Sequence, residues 1–561
     1  MSTAQMTVQK LEAAIKEAFN SAIEKGLLPQ GEIPQFNIEI PADRSHGDLA
    51  TNAAMVSART FHAAPRAIAQ ALTSEIKLEG TGLKGFEIAG PGFINFFYAP
   101  EFYSAVIQEI NSKGESYGRS DFGGGKKVLV EFVSANPTGP MHVGNARGGA
   151  LGDQLASLLD EAGYQVSREF YVNDAGNQIE KFGLSLDIRY LQLYKEGIEM
   201  PEDSYHGQDI IDHAKAFAQI NGDKYVDAPQ EERRKALVDY ALPLNIAGLE
   251  RDLLKYRIKY DNWFRESTLH NSGAVKKIVD MLTEKGHTYE KDDAVWFKAE
   301  QFGADKDFVL IRSNGLPTYV VPDIAYHYDK LVTRGYDKAI DVLGADHHGY
   351  VPRLKAALTA LGVDASKLDV VLMQMVRLIK DGEQYKLSKR SGKAITLVTL
   401  LDEIPIDAAR FFFNLREANT HFDFDLDLAV EKSSQNPVYY VQYAHARICN
   451  IIKRLAQEGI SPRECTAREL EKLDAPEEIE LINKLAALED EVVTAAKSYD
   501  PSRITRYVYD TAALFHKFYN ACKVKSEDEA LMQARLSLCI AARTVIANIL
   551  TMFRINAPET M

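Results

Sequence analysis

The sequence predicts a multidomain α/β protein centred on a parallel sheet, and three observations carry that reading. The chain has 561 residues, more than a single hydrophobic core organises. Strand-like and helix-like segments alternate through its middle. Beyond Leu400, amphipathic helical patterns continue to the C-terminus with little strand signal. The expected division is an N-terminal α+β domain over residues 1–120, a sheet domain over 121–400 with a helical insertion at about 185–295, and an all-α bundle over 401–561. Each domain is expected to have its own core.

MSTAQMTVQKLEAAIKEAF reads as an amphipathic helix, and extended segments follow in NIEIPADRSHGDLATNAAMVSART and FEIAGPGFINFFYAP. DFGGGKK (Asp121–Lys127) has the composition of a flexible boundary. The apolar strand VLVEFVSA (Val128–Ala135) then runs through the turn NPTGPMHVGNARGG into the helical pattern GALGDQLASLLDEAG, the first strand–turn–helix unit of a Rossmann-like sheet. AIDVLGAD (Ala339–Asp346) and VVLMQMVRLI (Val370–Ile379) enclose the helical YVPRLKAALTALG and repeat the alternation. Between them and the first unit, the charged stretch QEERRKALVDYALPLNIAGLERDLLKYRIKY suits an inserted helical segment. PVYYVQYAHARICNIIKRLAQEG and SLCIAARTVIANILTMF typify the C-terminal helices.

Composition excludes several classes. The 46% hydrophobic and 26% charged fractions are those of an ordinary globular chain, without repeats or low-complexity runs. No stretch of eighteen apolar residues appears and the N-terminus lacks a signal peptide's apolar segment, so a cytoplasmic protein with no membrane association is expected. Cys449, Cys465, Cys522 and Cys539 form no CxxC knuckle; they read as buried thiols, and no permanently bound metal is expected. The formal charge of −14 disfavours a protein that coats nucleic acid, while leaving room for a local basic face.

Two segments carry chemistry. A turn between strand and helix exposes free backbone N–H groups at the positive end of the helix dipole, a place for a nucleotide phosphate. Gly139, Gly144, Gly148 and Gly149 would allow close backbone approach, and His142 can donate a hydrogen bond to charge building on phosphate. The competing reading is a tight turn whose histidine merely caps the helix. The second segment is KLSKR (Lys386–Arg390), where lysines at i and i+3 joined by small residues can close over a triphosphate. Taken alone it reads equally as a solvated basic loop.

HVGN (His142–Asn145) resembles the His-Ile-Gly-His signature of class I aminoacyl-tRNA synthetases, and KLSKR their Lys-Met-Ser-Lys-Ser signature. EFVSANPTGPMHVGNARGGALGD, TYVVPDIAYHYDK, LGADHHGYVPRLKAAL, NPVYYVQYAHARI, HGDLATNAAM and PGFINF are similar to arginyl-tRNA synthetases in particular, so the resemblance spans nearly the whole chain. It implies an ATP site containing Gly139, His142, Gly144, Asn145, Gly344, Lys386, Ser388 and Lys389, with His142, Asn145, Lys386 and Lys389 acting on the reacting phosphates. It implies an arginine site in which Asp323 pairs the guanidinium, Tyr319 packs on its stem, Ser134 and Asn136 hold the α-amino and carboxylate groups, Glu131 lies beneath and His347 makes a further contact. Physics agrees on one point: a buried guanidinium must meet carboxylates. The competing reading of Asp323 is an acid in a helix's first turn after Pro322.

The resemblance further implies that arginine's carboxylate attacks the ATP α-phosphate, with Mg2+ accompanying ATP, and that the 2′ hydroxyl of the terminal tRNA ribose then attacks the adenylate. Asn145 replaces the signature's second histidine. Gly139 stands where some members carry a lysine, and those members lack the second loop lysine, which is Lys389 here. The C-terminal bundle should bind the anticodon of tRNA(Arg) through Tyr439, Tyr443, Arg447, Asn436 and Gln442, unless part of this group is helix-packing core. The N-terminal domain is implied to touch the tRNA elbow. A monomer without an obligate protein partner is expected. Two rivals are a nucleotidylyl transferase acting without RNA and a synthetase-like protein that holds tRNA without charging it.

Overall fold

The computed structural model describes residues 1–41, 43–385 and 395–561. A capped helix, Thr3–Glu24, opens the N-terminal domain and packs beside Pro65–Glu75 against a four-stranded antiparallel sheet. The segments HGDLATNAAM and PGFINF meet there: Leu49–Thr51 pairs antiparallel with Phe93–Tyr98. Gly47, at φ +98°, lies so close to the Phe96 carbonyl that no Cβ fits.

The central sheet has five parallel strands. β1 (Lys127–Phe132) leads through the signature turn to α1 (Asn145–Glu161), which returns to β2 (Gln165–Val172). β3 (Asn262–Arg265) comes after three inserted helices, Asn177–Leu191, Gln208–Asn221 and Gln230–Lys255. Then follow α2 (Val320–Tyr328), β4 (Lys338–Gly344), α3 (Val351–Leu361) and β5 (Leu368–Met373). The order β3-β2-β1-β4-β5 is doubly wound, with its switch point between β1 and β4. The expected single helical insertion is therefore corrected: the chain leaves and rejoins the sheet between about 177 and 295, because β3 lies inside that range. A second, antiparallel excursion (Thr288–Lys291, Ala294–Phe297 and Phe308–Ile311) precedes α2. The run Val370–Ile379 is likewise not one strand, since Arg377–Lys380 pairs in a separate sheet with Glu383–Gln384 and Asp423–Asp425.

The C-terminal helices include α4 (Pro437–Gln457), α5 (Ser502–Ala521) and α6 (Glu529–Met552). α6 is long and apolar enough to cross a membrane by length and composition, yet it is the central, largely buried helix of this bundle. Of the cysteines, Cys465, Cys522 and Cys539 are buried as expected, whereas Cys449 is only half-buried.

The expectation of separate cores is also corrected. One apolar core runs from Leu11 and Phe19 through Val130, Phe132 and Leu155 to Phe515 and Ile549, while a second fills the opposite sheet face beneath α2 and α3. Helix Pro100–Lys113 and its extension bind the first domain to the last: Asn111 donates to Ser537, and the Tyr117 hydroxyl to the Leu485 carbonyl. The glycine-rich segment is packed rather than slack, with the Gly123 and Gly125 N–H groups donating to the Ala162 and Gly163 carbonyls. Its glycines permit close approach to the end of α1; a Cβ on Gly123 would strike Tyr164. Arg410, fully buried, donates to Asp153 on α1 and to the Tyr256 and Phe553 carbonyls, joining bundle to sheet.

Candidate active site

β1 ends abruptly because Val133 and Ser134 both have positive φ, +69° and +45°. Such a conformation costs about 1–3 kcal/mol per residue, most for a β-branched side chain, and persists only where surroundings hold it. They do so here: the Ser134 Oγ donates to Glu131 Oε1 at 2.8 Å and accepts from the Tyr171 N–H at 3.1 Å. The reversal turns the chain away at the carboxyl edge of the sheet, the expected ligand edge of this topology.

Beyond it, His142 is exposed and its Nδ1 accepts from the Gly144 N–H at 3.0 Å. In the neutral ring this leaves the proton on Nε2, free to be donated, so the capping and ligand-binding readings are compatible. Asn145 opens α1, whose first turn has neither a capping side chain nor an acid. Gly144, Asn145, Gly148 and Gly344 line a cavity of about 200 Å3 at the β1/β4 switch point, together with Met373 and Val376. Gly139 lies apart from this cavity, beside Asp209 of the insertion. Gly149 is corrected: a Cβ there would press on Ile258, so it serves helix packing, as Gly152 does against Phe132. Asn136 is exposed.

The KLSKR residues Lys386, Ser388 and Lys389 lie outside the described residues. Their flank is informative: the Val143 N–H donates to the Ile395 carbonyl and the Leu397 N–H to the Met141 carbonyl. The chain therefore leaves that segment directly against the HVGN turn.

On the other side of the crevice, Asp323 sits in the first turn of α2 and accepts a short hydrogen bond from the Tyr350 hydroxyl. Its carboxyl is pushed up to about 6, chiefly by burial, with the Glu131 and Glu266 charges adding and the Tyr350 and His327 interactions opposing. No Lys or Arg ion pair reaches it among the described residues. Tyr319 is 68% exposed, its ring 5.9 Å from that of Tyr350. His347 is exposed, 6.5 Å from the same ring. Tyr350 is thus the ring that joins Tyr319, His347 and Asp323, and sequence reasoning missed it. It missed a deeper group as well: Asp323, His327 and Lys330 recur at i, i+4 and i+7, one helix face, and that spacing was legible.

Arg147, at 2% exposure, donates to the carbonyls of Gln374, Glu417 and Thr420. Burial lowers its guanidinium to about 10.

In the bundle, Tyr439 and Tyr443 stack at 6.4 Å and an interplanar angle of 6°, and Arg447 lies over the Tyr519 ring at 4.3 Å. Tyr439, Tyr440, Tyr443, Arg447 and His516 line an open pocket of about 400 Å3. Burial and the Arg447 charge lower His516 to about 4, which keeps it neutral. Two expectations are corrected here. Asn436 is buried and caps α4, accepting from the Val438 and Tyr439 N–H groups. Gln442 is buried and donates to Asp407 and the Asn556 carbonyl. Both amides are consumed inside the fold.

Comparison with known proteins agrees with this geometry. Residues 9–98 match the arginyl tRNA synthetase N terminal domain, 106–452 the catalytic domain of class I (R) tRNA synthetases, and 441–561 the DALR anticodon binding domain. The chain is 55% identical to an arginine–tRNA ligase of Caldanaerobacter subterraneus, covering 99% of both chains, and 51% identical to one from Acetivibrio thermocellus over the same shares. Its fold superposes on Thermus thermophilus arginyl-tRNA synthetase with a TM-score of 0.74 at 22% identity, covering 98% of this chain and 100% of that one. With three domain matches in order along one continuous fold, and near-full-length relatives at this identity, the chain belongs to the arginyl-tRNA synthetase family of class I.

Proposed function

We propose that the protein activates L-arginine with ATP and transfers it to the 3′-terminal adenosine of tRNA(Arg). The observation that carries the arginine assignment is Asp323: a half-buried carboxyl, oriented by Tyr350, with no Lys or Arg of the protein paired to it among the described residues. A guanidinium supplies the missing charge and a planar pair of donors. Tyr319 covers the aliphatic stem from the mouth, and His347 stands at the same rim. Ser134 and Asn136 receive the α-amino and carboxylate groups, with Glu131 behind Ser134.

ATP lies across the β1/β4 switch point, its base beside Gly344 and its phosphates at the uncapped start of α1. His142 donates from Nε2 to the phosphates, and Asn145 adds amide donors where the signature has imidazole. Lys386 and Lys389, with Ser388 between, close over the triphosphate, and Lys389 supplies the charge that Gly139 lacks. Mg2+ enters with ATP. Arginine's carboxylate attacks the α-phosphate and pyrophosphate leaves; the tRNA 2′ hydroxyl then attacks the adenylate carbonyl. Positioning and electrostatics lower both barriers, without a covalent enzyme intermediate.

The anticodon meets the pocket of Tyr439, Tyr443 and Arg447, where bases stack on the rings. The N-terminal domain meets the tRNA elbow. The protein acts as a cytoplasmic monomer. A charging assay with each of the twenty amino acids and total tRNA tests the whole reading: transfer of arginine alone is expected, and transfer of another amino acid, or none, overturns it.

A further inference from the structure

Below the arginine crevice, four ionisable side chains are packed away from water: Glu131 on β1, Asp341 on β4, His327 on α2, and Lys330 in the π turn Asp329–Thr333 that continues α2. The Lys330 Nζ donates to Glu131 Oε2 at 2.5 Å and to Asp341 Oδ1 at 2.9 Å, and stands 4.1 Å from the centre of the Tyr326 ring. Its side chain has no exposure. His327 places Nε2 2.6 Å from Asp341 Oδ2 and Nδ1 2.7 Å from the Asp323 carbonyl oxygen. Lys330 and His327 together hold the Asp341 carboxyl well below its usual range, so it is an acceptor. Nδ1 of His327 thus faces a carbonyl oxygen, and Nε2 lies between the Asp341 carboxylate and the Lys330 ammonium, which is 3.4 Å away.

Glu131, His327 and Asp341 stand close enough together to hold a metal ion, but the Lys330 ammonium already occupies the carboxylates. The cluster is better suited to holding shape. Glu131 reaches upward from Lys330 to Ser134 Oγ, on the strained reversal that ends β1. His327 reaches upward from Asp341 to the backbone of Asp323. One buried network thus grips both walls of the crevice, the wall for the α-amino group and the wall for the guanidinium.

We propose that Lys330, His327 and Asp341 are positioning residues for the amino acid: they fix Ser134 through Glu131, and Asp323 through its carbonyl, at the separation that matches arginine. The proposal rests on the arginine site assigned above. Fully satisfied buried polar networks are rigid, and a site whose side chains are locked from behind loses little order when its guest binds.

Lys330→Met alone leaves two buried carboxylates without their ammonium and is expected to unfold the protein. The informative variant is Glu131→Gln with Lys330→Met, which removes one charge of each sign. Its melting temperature is expected near the parent's, with KM for arginine in ATP–pyrophosphate exchange, run with tRNA present, raised at least tenfold and KM for ATP within twofold. Ser134→Ala leaves all four ionisable side chains in place and is expected to raise KM for arginine alike. Adding it to the double variant should cause little further loss, because both act through one contact. The proposal is overturned if the double variant restores KM for arginine with its stability, if KM for ATP rises equally, or if the Ser134→Ala effect is fully additive. Asp323→Asn, measured alongside, separates this from the arginine-site reading. If it raises KM for arginine while the double variant does not, the network idea alone fails; if it leaves KM unchanged, both fail.

Discussion

The sheet crevice and the α4 face were read from the same kind of signal, polar and aromatic residues clustered in a short segment, and they came out differently. In the crevice, Ser134, Asp323, Asn145 and Gly344 stand at one edge of the sheet; Ser134 sits on strained backbone, and Asp323 has no Lys or Arg paired to it among the described residues. On α4, Asn436 and Gln442 turn inward, while Tyr439, Tyr440, Tyr443 and Arg447 line a pocket. The difference lies in backbone geometry. A parallel sheet presents the ends of several strands at one edge, where groups cannot all be satisfied locally and a ligand completes them. A helix satisfies its own backbone except at its ends, and an Asn at its start is more often spent as a cap than as a reader of bases.

The contrast can be broken or sharpened by substitution. The largest effect is expected from Asp323→Asn: losing one partner of a buried charge pair costs about 3–5 kcal/mol, so KM for arginine should rise on the order of a hundredfold or more while KM for ATP stays put. Equal losses for both substrates would remove Asp323 from the guanidinium role. The raised carboxyl predicts a smaller effect in the parent protein. Guanidinium binding favours ionised Asp323, so arginine affinity is full above pH 6 and is lost as pH falls through about 6. Well below that value KM for arginine should rise about tenfold per pH unit, a slope Asp323→Asn should abolish.

On the helical face, Tyr443→Ala removes an aromatic platform worth about 1–3 kcal/mol per stacked base. KM for tRNA should rise on the order of tenfold, with arginine and ATP constants unchanged in steady-state charging. Asn436→Ala should do the opposite. A lost helix cap costs about 0.5–2 kcal/mol, read as a lowered melting temperature, with KM for tRNA unaltered. A tRNA defect in folded Asn436→Ala would restore it to the binding face and undo the comparison.

Much of this molecule is legible along the chain. β1, the signature turn and α1 follow one another as a local pattern, and the regular spacing of apolar residues marks α1, α3 and the bundle helices. Where the reading slipped, the deciding contacts were distant ones. β3 is four residues long and pairs with β2 across some ninety residues of inserted chain, too short to announce itself by period. The Gly123–Gly125 segment has a linker's composition, but its glycines answer to the end of α1 lying against it. Tyr350 was inside a segment already singled out, yet its hydroxyl acquires meaning only when α2 brings Asp323 to it.

The sequence by itself determined the domain order, the strand–turn–helix unit of the signature turn, the position of the lysine segment and the family, because these depend on local spacing and on short runs of residues. Tertiary structure alone decided which polar residues remain available. Whether Asp323 has a Lys or Arg partner, whether Asn436 is already consumed, and whether Lys330 is a surface charge or the hub of a buried cluster all depend on the packed surroundings. Burial, which turns each of those pairings from a minor term into a large one, is a property of the packed chain.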